Sequence, residues 1–222
     1  MLAFRFVRQH LDPASRLGEI LFGLIMVLTV TLTASVIMIQ EGTKGARQLL
    51  IAAIGCNIAW GIIDAVMYLM NCLTENTTRT RFLRAIKSAP DPQSATRLVR
   101  HKIEEEFGDV IPPQDLSSLV DSITKNRQAL PENQRLLGKK DVYGAIACFW
   151  LVFVSCLPAA LPFFVIRQPY LALRLSNCLL LTLLFLVGKK WGEHVGVSPI
   201  LSGLGMLASG VLLVGIAVLL RG

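Results

Sequence analysis

Five long apolar runs constrain this chain more than any other feature of its sequence. About 18 to 20 apolar residues in a helix cross a hydrocarbon core of roughly 30 Å, because each helical residue rises about 1.5 Å. Hydrophobic residues make up 53% of the chain and charged residues 17%, which is too apolar for a soluble domain. We therefore predict an all-α integral membrane protein with five transmembrane helices, over residues 18–39, 48–73, 142–166, 171–187 and 197–220.

The positions of Lys and Arg predict which way these helices face. If the chain crosses five times, most of its 22 Lys and Arg residues fall on the side that holds the N-terminus. Basic residues favour the cytoplasmic side, so we expect the N-terminus in the cytoplasm and the C-terminus outside, in a bacterial inner (plasma) membrane. The net charge of +7 then follows from topology in the lipid bilayer, and we predict no nucleic acid as a partner.

A polar segment separates the second and third apolar runs. Residues 74–141 contain three short amphipathic patterns, over 75–88, 94–107 and 114–127, with prolines between them. We predict a small cytoplasmic helical insert here. Residues 1–73 then hold an N-terminal segment with helices one and two, and residues 142–222 hold helices three to five.

The second pattern of the insert offers a candidate metal site. His101, Glu104 and Glu105 are spaced i, i+3 and i+4, so they share one side of a helix. An imidazole and carboxylates suit Mn²⁺, Fe²⁺ or Zn²⁺. The alternative, which is the more ordinary arrangement, is a solvated helix face with residues such as Arg100 and Lys102 as charge partners.

Asp64 lies far from either end of the otherwise apolar second run. A carboxylate there costs roughly 2.5 to 3.5 kcal/mol, so it must face protein, water or an ion, and a functional role is the leading hypothesis. Asn57 lies two turns earlier on the same face, with Gly61 between them. The alternative is that Asp64 is protonated or hydrogen-bonded between helices and fixes their packing.

Other polar or irregular positions occur in the remaining runs. Glu19 opens the first span, where it either lines the entrance of a pathway or complements the helix dipole. Pro158 and Pro162 each remove a backbone donor from the third span, which predicts a kinked helix. The five cysteines have no paired or metal-type spacing, and we expect small buried hydrophobic side chains.

The pair Pro158 and Pro162, the glycine-punctuated segment 188–222 and Phe22-Gly23-Leu24 together form a recognisable pattern. In these residues and in its topology the chain resembles the vacuolar iron transporter family, five-span proteins with a cytoplasmic helical insert between spans two and three. The resemblance implies a homodimeric exporter that exchanges Fe²⁺ or Mn²⁺ for protons. It also implies that metal passes between the first helices and that the insert gathers metal.

The family carries an Asp-Gly pair after Gly-Leu in its first helix, where this chain has Ile25-Met26. We hypothesise that Asp64 serves instead as the ion or proton site, with Met26 and Met67 as soft neighbours. The predicted function is a proton-coupled transporter of divalent cations of the Fe²⁺/Mn²⁺ class, with the metal as substrate and no cofactor.

The alternative function is a non-transporting membrane anchor or dimerisation protein whose cytoplasmic helices bind a partner. We do not predict an enzyme, because no spacing in the sequence resembles a nucleophile with its base or a closed metal site.

Overall fold

A computed structural model describes residues 2–33, 43–107, 111–129 and 136–219. Within these ranges the chain is helical and has no strand, which confirms the all-α class. The α-helices are α1 (Leu2–His10), α2 (Pro13–Thr33), α3 (Thr43–Lys87), α4 (Pro92–Phe107), α5 (Pro113–Lys125), α6 (Lys139–Ser155), α7 (Leu157–Val165), α8 (Pro169–Val195) and α9 (Pro199–Leu219).

Four helical stretches are long and apolar enough to cross a membrane. They are Pro13–Thr31, Lys44–Lys87, Lys139–Val165 and Pro169–Val195. The apolar stretch Pro199–Leu213 in α9 is shorter. The predicted end of the first span, at residues 34–39, lies outside the described part of the chain, as do residues 220–222.

Proline marks the start of several helices, and in two of them an aspartate precedes it. Five of the helices begin at a proline, which has a suitable φ and lacks the N–H that would be unpaired in the first turn. Asp12 and Asp91 precede two of these prolines, and each accepts the backbone N–H three residues later, from Ser15 at 3.0 Å and Ser94 at 2.7 Å. The motif Asp-Pro-x-Ser therefore starts both α2 and α4.

The chain divides into two compact units, the helical bundle (residues 1–69 and 139–222) and the insert unit (residues 70–138). The core of the bundle is formed chiefly by leucines of α2 and α8, among them Leu24, Leu28, Leu180 and Leu184. Buried hydrogen bonds add to it, such as the one that the Thr31 hydroxyl donates to Asn177 Oδ1 at 2.9 Å. The insert unit has its own core, built from Ile86, Ala95, Val99, Leu116 and Val120.

Some predicted boundaries differ from the structure. The separate helix predicted over 75–88 is wrong, because α3 continues without a break to Lys87. The fourth span extends past its predicted end at residue 187 to Val195, and Gly196 terminates it with a φ of 83° that favours glycine. The short helix α1 was not predicted; it buries Val7 and leaves Arg5 and Arg8 exposed.

Candidate functional site

One face of α3 packs against α6 and carries the polar residues of the second span. Asn57 is completely buried, and its Nδ2 donates to the carbonyl oxygen of Val152 at 2.9 Å. One turn later, Gly61 lies against Phe149, and a Cβ at this glycine would come within 3.0 Å of the phenyl ring. The absence of a side chain at Gly61 therefore lets the two helices approach closely.

Asp64 lies on this face between two helix contacts. Beyond it, the Tyr68 ring lies against Gly144, where a side chain would overlap the phenol. Because Gly61 and Tyr68 both face α6, Asp64 is directed to the same helix. Its side chain is half-buried, and Oδ2 is enclosed without a hydrogen-bond partner among the described residues.

Glu19 of α2 meets Asp64 at this point. The two carboxyl groups are within hydrogen-bonding reach of each other, and the thiol of Cys148 in α6 donates to Glu19. Neither of these two neighbours, Asp64 and Cys148, brings a positive charge to the Glu19 carboxyl group. Helices α2, α3 and α6 each contribute one residue to this cluster. We call Glu19 and Asp64 the carboxyl pair, and Cys148 is its thiol neighbour.

The close approach of α2 to α6 sets the position of Glu19. One turn after Glu19, Gly23 lies so close to Ser155 that any Cβ there would overlap the hydroxyl oxygen. Ser155 Oγ in turn donates to the Val152 carbonyl at 2.6 Å, the same oxygen that Asn57 binds. Helices α2, α3 and α6 are therefore held together one turn from the carboxyl pair.

The chemistry of the carboxyl pair follows from charge. A hydrogen bond between two carboxyl groups requires that at least one of them be protonated. Two adjacent carboxylates repel each other strongly when both are ionised. The pair can be neutralised by two protons or by one divalent cation, and carboxylate oxygens suit hard cations such as Mn²⁺.

The structure brings some of the predicted site residues together and separates others. Asp64 and Glu19 meet, although the sequence placed them in different roles. Asn57 joins α3 to α6 through its bond to Val152. Met26 is half-buried on α2, whereas Met67 is 55% exposed and lies on the surface of the bundle.

Cys148 is a member of the cluster that sequence reasoning missed, because nothing in its spacing marks it. It is buried, as expected for these cysteines, whereas Cys178 is exposed. Its contact with Glu19 arises from helix packing, which a single sequence does not reveal.

The predicted metal-binding residues of the insert are engaged in ion pairs. Glu104 lies 3.8 Å from Arg100, and Glu105 lies 3.1 Å from Lys102, while His101 is exposed. Across the described ranges, no group of three or more His, Cys, Asp or Glu residues is arranged to hold a metal ion. The observed pairing is that of a solvated helix face.

The third span is interrupted before its prolines. Its helix breaks at Cys156, whose N–H bonds to the Phe153 carbonyl at 3.3 Å. In a regular α-helix this N–H would bond to Val152, whose carbonyl is bound here by side chains instead. Pro158 lies in the first turn of α7 and Pro162 inside it.

The fold and this cluster define a class, a helical protein with membrane-length apolar helices and an acid pair between them. No known protein family matches the sequence, and no curated protein matches it either.

Proposed function

We propose that this protein is a proton-coupled membrane transporter of divalent metal cations of the Fe²⁺/Mn²⁺ class. The observation that carries this proposal is the contact between the carboxyl groups of Glu19 and Asp64 inside the helical bundle. Ionisable groups within membrane spans are expensive, and they mark ion pathways and proton relays. In this proposal the carboxyl pair is the exchange site.

Charge balance supports an exchange of protons for a divalent cation. Two protons or one divalent cation both leave the carboxyl pair neutral, and the interior of a membrane favours neutral contents over a net charge. Loss of both protons therefore prepares the pair to bind one cation, and the return of the protons releases it. The Cys148 thiol next to Glu19 adds a softer donor, which suits Fe²⁺ better than Mg²⁺.

The proposal includes the topology that the charges of the sequence predict. Helix α9 forms a fifth crossing, the N-terminus and the insert unit are cytoplasmic, and the C-terminus is outside. The chain works as a homodimer in a bacterial inner membrane. The resemblance to vacuolar iron transporters in Pro158, Pro162 and segment 188–222 supports this arrangement.

A second candidate function is a non-transporting anchor that dimerises and binds a partner through its cytoplasmic helices. The contacts between α3 and α6 favour this alternative, because Asn57 is fully buried and a Cβ at Gly144 would overlap the Tyr68 ring. In that case the carboxyl pair would serve as a hydrogen bond between helices.

The test is metal flux in proteoliposomes that contain the purified full-length protein. We expect uptake of Mn²⁺ and Fe²⁺ over Mg²⁺ and Ca²⁺, and we expect a pH gradient to drive it. Asp64→Asn and Glu19→Gln should each reduce the flux at least tenfold, since each removes one ionisable carboxyl. Glu75→Gln is the matched control, because it removes an exposed carboxyl from the insert unit outside the predicted metal-binding residues, and it should stay within twofold of the native protein.

The outcomes separate the two functions. If Asp64→Asn retains full metal flux, the carboxyl pair is not the exchange site. If the native protein transports none of the four cations with or without a pH gradient, the anchor function is favoured.

A further inference from the structure

A basic cavity lies at the end of the bundle where α1, the first turns of α2 and the last turns of α8 meet. Its volume is about 520 Å³. Arg8, Arg16 and Lys190 line it, and among the lining residues Glu193 is the single acid. Glu193 is already paired with Lys190 at 2.7 Å, so both arginine charges remain in excess.

A second cavity of about 380 Å³ adjoins the first one. The two share Val7, Ile20 and Leu151 in their walls, so they lie side by side. The second cavity is lined almost entirely by apolar side chains of α2, α6, α7 and α8. Along α6 and α7 it extends from Leu151 to Pro158, which is roughly 10 Å at about 1.5 Å per residue.

Together the two cavities form a groove with a basic end and an apolar length, which we call the amphipathic groove. The basic end lies at the charged ends of α2 and α8, which the topology proposed above places at the depth of lipid headgroups. The apolar length is open to the surroundings of the bundle, since Trp150 is 40% exposed and Val154 is 37% exposed. A ligand can therefore enter it sideways from the membrane.

We propose that the amphipathic groove binds one anionic phospholipid. The guanidinium groups of Arg8 and Arg16 bind its phosphate, and one acyl chain lies along the apolar length. Arginine matches a phosphate with two parallel hydrogen bonds, and basic pockets between membrane helices bind anionic headgroups in this way. Charge complementarity selects an anionic lipid, and the adjoining apolar wall selects a lipid over free phosphate.

The test uses the full-length protein, stripped of lipid in detergent, and titrates it in native mass spectrometry. The probes are phosphatidylglycerol and phosphatidylcholine with identical acyl chains, and inorganic phosphate. We expect phosphatidylglycerol to bind at least tenfold more tightly than phosphatidylcholine. The variant Arg16→Gln should lose at least fivefold in affinity for phosphatidylglycerol. Lys189→Gln is the matched control and should bind within twofold of the native protein, because it removes an equal, exposed charge next to Lys190.

A separate variant tests the apolar length of the groove. Val154→Trp places a large side chain there, at a position that is 37% exposed. It should weaken the binding of phosphatidylglycerol at least fivefold and leave the melting temperature unchanged. If Val154→Trp binds normally, or if inorganic phosphate displaces the lipid at millimolar concentration, the ligand is a phosphate and the lipid proposal fails. Equal binding of both lipids, or an equal loss in Lys189→Gln, also overturns it.

Discussion

The glutamates of α4 in the insert unit and the carboxyl pair in the bundle have opposite kinds of partner. In the insert unit, three consecutive glutamates of α4 each have a basic partner on the same helix, at 3.1 to 3.8 Å. In the bundle, Glu19 faces Asp64, and its other neighbour is a thiol. The glutamates of α4 are exposed, so water and a nearby basic side chain stabilise their charges cheaply, whereas Glu19 and Asp64 need a proton or a bound cation.

The ion pairs of α4 and the carboxyl pair depend on the fold to different extents. An ion pair at i, i+4 forms on almost any exposed helix, because the spacing alone brings the charges together. The carboxyl pair instead joins residues 45 positions apart on separate helices, and it exists because those helices touch. Moving α2 away from the other bundle helices should therefore abolish the carboxyl pair and leave the ion pairs of α4 intact.

The largest effect is expected from Gly23→Val. The new side chain would overlap Ser155 and the Val152 carbonyl, so α2 must move away from α6. Overpacking of this kind costs about 1–3 kcal/mol, and we expect a melting temperature several degrees lower together with reduced metal flux. Thermal unfolding followed by tryptophan fluorescence in detergent measures the change. Gly55→Val is the matched control, because a Cβ there meets nothing within 4 Å. Equal shifts in the two variants would show that the α2–α6 contact is not tight.

A smaller effect of opposite sign is expected when the carboxyl pair is neutralised. The double variant Glu19→Gln with Asp64→Asn keeps a hydrogen-bonding amide pair and removes the ionisable groups. It should raise the stability of the bundle by about 1–2 kcal/mol, a part of the roughly 2.5–3.5 kcal/mol that a charge costs within a span.

The corresponding change in the insert unit is Glu104→Gln with Glu105→Gln, which removes favourable ion pairs and should lower the melting temperature slightly. The essential result is that the bundle variant raises the melting temperature and the insert variant lowers it. If neutralising the carboxyl pair lowers the melting temperature instead, the pair stabilises the fold, and the anchor function gains support.

Four of the five predicted spans correspond to helices that are long and apolar enough to cross a membrane, since apolar runs of sufficient length have few other solutions. The fifth span, in α9, stays a prediction. Sequence reasoning fails at the end of the second span. The change to polar residues at 74 suggests a boundary there, but polarity does not stop a helix. The residues between Leu73 and Lys87 include neither proline nor glycine, and the next proline along the chain is Pro90.

For the candidate site, the energetic cost of a buried charge was enough to select Asp64. The identity of its partner was not predictable in this way. Contact with Glu19 depends on Gly23 and Gly61, which allow three helices to approach, and glycines of this kind are common in membrane helices. The same limitation explains why Cys148 was not expected beside Glu19.

The smallest effect is expected from Asp91, an acid of the insert unit that is stabilised by hydrogen bonds. The Ser94 N–H and hydroxyl hold the pKa of this carboxyl below its ordinary value, and Arg97 contributes to a smaller degree. Because the folded pKa is below the unfolded one, near 3.9, the stabilisation is present above about pH 4 and is lost as the pH falls through the folded pKa. Hydrogen exchange should show a few-fold loss of protection in the first turn of α4 between pH 5 and pH 3, after correction for intrinsic rates.

Asp91→Asn should remove this pH dependence without loss of protection at pH 5, because asparagine is an equally good N-cap. An identical loss at pH 3 in Asp91→Asn would assign it to other acids of the insert. A protonated Asp91 can turn to water, so its titration affects one helix turn. The carboxyl pair lies inside the bundle, and on our proposal one divalent cation replaces the two protons that it loses. A change in protonation therefore affects local stability in the insert unit and, on our proposal, moves metal in the bundle.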